Sequence, residues 1–233
     1  MRVKKTIFTP VRSKRTFEDV YLQIRQLIMQ GTLKPGDRLP PEAELGKQFN
    51  VGRQTIREAL RILELSGFIV IQIGYGGGPI VKDNIVGKAT EMLLDALKLA
   101  KISIEEVAAA RLAMEKAVLN EAIERADEED IKNLRENLLK AKELIAKKQS
   151  PIDAGFEFHI LLAKASKNNA FVILVETINA INRGLRNRKP PDFRTVKAYA
   201  QAHEEIFEAL IRKERDKAIR LLEKDILEIG KSN

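Results

Sequence analysis

The sequence predicts a mainly α protein in two parts: a three-helix unit closed by a small β-hairpin, followed by an all-α antiparallel helical bundle. Three observations predict it. Apolar residues recur at helical spacing through three segments between Phe17 and Ser66. The period then changes to a β-branched run, Phe68 to Ile73, followed by glycines and a second short run. Beyond Asp83 no strand pattern returns, and long helical segments follow one another to the end.

Taken in order, Phe17 to Gln30 places Val20, Ile24, Leu27 and Ile28 on one helical face. Gly31 and Lys34-Pro35-Gly36-Asp37 break it and form a turn. Pro41 suits the first turn of a second helix, Glu42 to Gln48, whose Glu42 and Glu44 sit near its positive end. After the turn Phe49-Asn50-Val51-Gly52, a third helix runs Gln54 to Ser66, with Ile56, Leu60 and Leu63 on one face and Gly67 as its cap. The glycine-rich stretch Gly74 to Pro79 then joins two short strands. Two helices joined by a tight turn and followed by a hairpin make a winged helix-turn-helix. In that arrangement the second helix of the pair enters the major groove of DNA.

The second part divides into helices over about 85–100, 103–126, 128–148, 152–165, 170–188, 193–212 and 216–229. Ser103-Ile104-Glu105-Glu106 has the spacing of a capping box, and Lys189-Pro190-Pro191 is a break. Short connections between long helices imply an antiparallel bundle. The expected boundary lies at Asp83, giving a domain over 1–83 and another over 84–233.

Charge supports a polyanion partner for the first part. The chain carries a net +8, of which residues 1–83, with 14 Lys+Arg against 8 Asp+Glu, hold +6. Cys is absent, which excludes disulfides and thiolate metal sites. No apolar run approaches the ~20 residues that cross a bilayer. Met1 to Arg15 lacks the apolar core of a signal peptide, so a cytoplasmic protein without membrane contact is expected.

Arg53, Gln54 and Thr55 open the third helix, and Arg57 lies one turn further along the same face. Arg can bridge guanine O6 and N7, and Gln can bridge adenine N6 and N7. Tyr75, Gly76 and Gly77 are the candidates on the wing, where glycine lets backbone approach DNA closely. Taken singly, the same arginines read as solvated helix charges; taken with the turn and the wing, they read as DNA contacts.

From Val20 to Val81 the chain resembles the DNA-binding domain of the GntR family of bacterial regulators. The likeness rests on Leu39-Pro40-Pro41-Glu42, on Val51-Gly52-Arg53-Gln54-Thr55-Ile56-Arg57-Glu58-Ala59-Leu60, and on Gly76-Gly77-Gly78. Pro41 and Gly52 stand where Ser is usual, and Ala43 where many members carry a DNA-touching Arg. From Ile85 to Ile229 the chain resembles the FCD effector domain of the FadR subfamily. Here the likeness rests on Arg111-Leu112-Ala113-Met114-Glu115, on Phe158-His159 with Ala165-Ser166-Lys167-Asn168, and on His203 to Ala218.

The second resemblance implies a divalent metal held, in many members, by an Asp four residues before a first His and by two later His. Here His159 and His203 stand at the first and second His positions, Gly155 where the Asp would be, and Asp225 where the third His would be. Two His and a carboxylate can hold zinc, nickel or manganese and leave positions open for water or an effector. The residues alone are equally those of a hydrogen-bonded core, and Asp153 and Glu157 lack the spacing to stand beside His159. Arg111 is the candidate for gripping an anionic effector or, equally, a partner in a structural ion pair. Asn179, Asn182 and Arg183 could line the same cavity. The expected function is a regulator, not an enzyme: a homodimer on double-stranded operator DNA, with a small carboxylate effector bound beside His159, His203 and Arg111. A metalloenzyme built on the bundle and an effector-free architectural protein are the alternatives.

Overall fold

The first unit is built on α1 (Thr16–Met29), α2 (Glu42–Phe49) and α3 (Arg53–Leu65), followed by a hairpin of β1 (Ile69–Gln72) and β2 (Gly78–Val81). The computed structural model describes residues 16–74, 77–186 and 192–228, and its chain divides into two compact units at Ala89 and Thr90. Along α3 the apolar residues Ile56, Ala59, Leu60 and Leu63 recur at three- and four-residue steps, so one face is buried and the other left in solvent. That face meets Val20 and Ile24 of α1, Leu45 of α2, and Phe68, Ile69 and Val81 of the hairpin.

The turn between α2 and α3 is made by Asn50. It caps α2 in the left-handed conformation (φ +53°) and donates its N–H to the carbonyls of Gly46 and Lys47. Gly67 does comparable work after α3. Its φ is +81°, and a Cβ there would stand 2.6 Å from the carbonyl oxygen of Asn84. Only glycine lets the helix exit pack on the segment leaving β2. The strands pair antiparallel, Ile69 with Val81 and Gln72 with Gly78. The first is shorter than the Phe68–Ile73 run predicts, and Ile73 projects into solvent.

The second unit begins within α4 (Ile85–Leu99) and continues through α5 (Ile104–Arg125), α6 (Glu128–Ala146), α7 (Ile152–Ala165), α8 (Asn169–Arg186), α9 (Phe193–Ile211) and α10 (Arg215–Glu223). Ser103 caps α5 through the predicted capping box, and Asp127 closes a second one with Asp130 on α6. Val118, Leu119, Leu134, Phe158, Leu162, Ile206 and Leu222 fill the core. The final segment departs from the single regular helix expected over 216–229. Its last described turn, Lys224–Glu228, is π-helical, which widens the backbone at Asp225. Among the described residues no helix is long and apolar enough to cross a membrane.

Candidate functional site

On the first unit Arg53, Gln54 and Arg57 are exposed on the face of α3 opposite the core, with Thr55 half-buried beside them. Gly52 at the N-cap offers no side-chain acceptor, and the first turn of α3 carries no acidic residue. Its free N–H groups therefore point outward with their partial positive charge uncompensated. Arg57 is held from α2: its Nε–H donates to Glu42 Oε2 at 2.7 Å. Gly77 sits in the turn before β2, its N–H bonded to the Gly74 carbonyl, where a Cβ would stand 2.3 Å from the Gln72 carbonyl oxygen. Tyr75 and Gly76 lie outside the described residues. A basic residue not singled out in the sequence, Arg38, also flanks the hairpin: its Nη2 donates to Gln72 Oε1 at 3.3 Å.

The second unit holds a buried polar cluster. Arg111 of α5 and Glu115 one turn on share a face, and Arg111 Nε donates to Glu115 Oε1 at 2.5 Å. The other Glu115 oxygen lies 2.5 Å from His159 Nδ1 on α7. His159 Nε2 then lies 3.4 Å from Asp225 Oδ2, and His203 Nε2 of α9 lies 3.5 Å from Asp225 Oδ1. The two imidazoles meet edge to face at 5.0 Å, and Phe158 stacks on His203 at 4.4 Å. All five polar residues are at most 7% exposed. Arg111, His159, His203 and Asp225 border a cavity of about 40 Å³ whose other polar wall residues are Asn137 and Tyr199, with Glu115 behind them.

Burial alone would drive both imidazoles toward the neutral form. It does so for His203, which lies below its ordinary value. In His159 burial is again the largest single effect, but the Glu115 and Asp225 carboxylates together overcome it and lift the value above the usual range. Burial likewise opposes the charge on Glu115, yet Arg111 and His159 hold its carboxyl down at about 2. Asp225 is kept ionised against burial by the two histidines.

Three buried atoms bordering the cavity have no hydrogen-bond partner among the described residues: His203 Nε2, Asp225 Oδ1 and Asn137 Oδ1. Two are obligate acceptors, so the cavity calls for donors or a cation. The donor atoms of His159, His203 and Asp225 lie within 4.8 Å of one another. Ligands about 2.1 Å from an ion stand roughly 3.0–3.4 Å apart in octahedral or tetrahedral geometry. Each histidine Nε2 stands near that distance from one Asp225 oxygen, His159 at 3.4 Å from Oδ2 and His203 at 3.5 Å from Oδ1. In neutral His159, with the Nδ1 proton directed at Glu115, the Nε2 lone pair would face Asp225, the orientation a carboxylate-buttressed metal ligand adopts. The residues present therefore fit a divalent ion.

Gly155 lies at this cluster as well, since a Cβ there would be 3.3 Å from His203 Cε1. Arg111, His159, His203 and Asp225 are thus gathered at one cavity. Arg111 makes the ion pair that is one of its two readings, and it also lines the cavity. Asn179 and Asn182 are buried on α8 away from the cavity wall, with Asn179 Nδ2 donating to the Phe156 carbonyl. Arg183 pairs with Asp153 and lies over the Phe156 ring. Sequence reasoning does not single out Glu115, although its i+4 spacing from Arg111 signals the pair.

Residues 16–77 match the family model for bacterial regulatory proteins of the gntR family, and residues 106–227 match the FCD domain. The chain belongs to the GntR family. Among the relatives of this GntR protein is the Uxu operon transcriptional regulator of Escherichia coli, 32% identical over 70% of this chain and 63% of that one. Another is the Uxu operon regulator of Haemophilus influenzae, 29% identical over 70% of this chain and 59% of that one. The GntR chain therefore spans about three fifths of the length of these relatives. A solved GntR structure from Streptococcus agalactiae shares the fold, with a TM-score of 0.71 at 22% identity over 93% of this chain and all of that one. The family and the relatives' names are those of transcriptional regulators, not of enzymes.

Proposed function

We propose that this protein is a transcriptional regulator that binds double-stranded operator DNA as a homodimer and changes its affinity when a small carboxylate binds in the helical unit. The reading of the effector rests on one observation: a buried donor set with unpartnered lone pairs at a cavity. Arg111 and Glu115 cancel one another in charge, and once His159 gives up its proton to an incoming ion, Asp225 remains as a net −1 beside two neutral imidazoles. A divalent ion held by His159, His203 and Asp225 would supply Lewis-acidic positions and bring the local charge to +1. One monoanionic carboxylate then neutralises it, with the outer N–H groups of Arg111 available as donors. Asn137 Oδ1, an acceptor, favours a carboxylate that also carries a hydroxyl.

Operator binding is assigned to α3 and the hairpin, with Arg53, Gln54 and Arg57 toward the major groove and the wing toward the backbone. A two-fold operator requires two readers about one helical turn apart, hence a homodimer. The carboxylate alters DNA affinity only through unequal binding to two conformations, since equal affinity shifts nothing. Such a protein belongs in the cytoplasm, where operator DNA is. The test begins with elemental analysis and mass spectrometry of the purified protein. Selection of duplexes from a random library follows, with gel-shift titrations against short hydroxycarboxylates and light scattering. One enriched palindrome, bound by a dimer and released by one carboxylate, is the expected result. Failure to enrich any sequence sinks the regulator reading; enrichment with no response to any carboxylate sinks the effector.

A further inference from the structure

Glu42 stands at the first position of α2, fifteen residues before Arg57, and the helix-turn-helix brings the two side chains together across the reading face. Arg57 Nε donates to Glu42 Oε2 at 2.7 Å, with the arginine side chain 63% and the glutamate 36% exposed. An exposed pair of this kind contributes little to stability, about 0–1 kcal/mol. Its effect is on direction. A guanidinium has five N–H groups in a rigid plane, and the carboxylate takes the Nε one. The terminal Nη groups are left as a two-pronged end, the shape that bridges O6 and N7 of guanine.

The pair also bears on what Arg57 contacts. A phosphate approaching this guanidinium meets the negative Glu42 beside it, whereas a guanine edge brings neutral acceptors and no such repulsion. Among the described residues no carboxylate pairs with Arg53, so the two arginines are not equivalent. We infer that Glu42 is a specificity-determining residue that positions Arg57 for a base edge and turns it from phosphate, resting on the operator-binding reading above. Arg57 is then a base reader, and Glu42 sharpens sequence discrimination while weakening unspecific binding.

The test uses the full-length protein and a duplex that the wild type enriches from a random library. Wild type, Glu42→Gln, Arg57→Ala and the double variant are titrated against that duplex, its single-base variants and an unrelated duplex of equal length, over a range of salt. Melting temperatures control for folding. Glu42→Gln should lose about tenfold in discrimination at one G·C position, within the range for a bidentate contact. Its binding to unrelated DNA should be equal or tighter, with a salt dependence steeper by up to about one phosphate contact. In the Arg57→Ala background the same change should alter discrimination at that position by less than about twofold. Glu42→Gln with full discrimination at every position, or an equal loss with and without Arg57, overturns the assignment while leaving the operator reading intact. A wild type that enriches no sequence overturns both.

Discussion

Glu115 is the side chain on which the buried cluster of the helical unit depends, and replacing it with Gln tests how the cluster is held. Both carboxylate oxygens are committed, one to Arg111 Nε and one to His159 Nδ1, each at 2.5 Å. An amide of the same shape accepts with one atom and presents N–H with the other, so one of the two partners loses its acceptor. Arg111, 7% exposed, then has no neutralising charge at hydrogen-bond distance. Leaving one member of a buried pair uncompensated costs about 3–5 kcal/mol. The depressed Glu115 carboxyl leads to a similar magnitude. The Glu115 carboxyl is held at about 2 against an ordinary 4.5. At 1.36 kcal/mol per pH unit, that difference corresponds to about 3 kcal/mol of native-state stability at neutral pH. For a domain of this size a loss of that order lowers Tm by about 10 °C. The sign with pH is definite. A depressed carboxyl stabilises fully above the unfolded value and loses its contribution as pH falls from about 4.5 toward 2. The gap between wild type and Glu115→Gln should therefore be widest at neutral pH and narrow in acid. Melting followed by far-ultraviolet circular dichroism, with chelator present, reads both. A variant that melts within about 2 °C of wild type at pH 7, or a gap that widens in acid, would refute this account of the cluster.

Three further outcomes follow from the same structure. Arg53→Ala and Arg57→Ala should each weaken operator binding, by about 1–3 kcal/mol and with relaxed specificity where the side chain reads a base; unchanged titrations for both would remove α3 from the reading face. Chelator-treated wild type should take up one divalent ion per chain and release a proton, because His159 is raised and must give up its proton to bind. Calorimetry in buffers of different ionisation enthalpy measures this, with uptake falling as pH drops, and equal negligible uptake by wild type, His159→Ala and His203→Ala refutes it. Gly67→Ala forces a side chain into a left-handed residue 2.6 Å from a backbone oxygen, so it should cost more than about 2 kcal/mol in the melting of the first unit; a neutral result would show that the α3 exit can shift.

Legibility in the sequence followed the range of the interaction. Ile56, Leu60 and Leu63 mark the buried face of α3 because a helix repeats every few residues, and the Ser103–Glu106 box is wholly local. The left-handed cap of α3 follows from Gly67, but its second reason, the carbonyl of Asn84 pressed against it, lies seventeen residues away and leaves no local trace. The same holds in the buried site. Its histidines and Asp225 could be named as candidates, yet nothing in their spacing shows Glu115 clasping both Arg111 and His159. A regular continuation of α10 also hides the π turn, since an apolar pattern over so few residues reads alike at either pitch.

The Glu42–Arg57 pair shows the limit most plainly. In the sequence Glu42 suits the positive end of α2 and Arg57 a recognition helix, and each assignment is complete without the other. Only the tight turn through Asn50 and Gly52, which folds α3 back across α2, converts two local preferences into one joint contact. On the proposed reading, a carboxylate beside a base-reading arginine opposes the attraction to phosphate that a basic first unit otherwise favours. Net charge would then set how strongly this unit holds any DNA, while the placement of a single negative group would decide how much of that hold is spent on sequence.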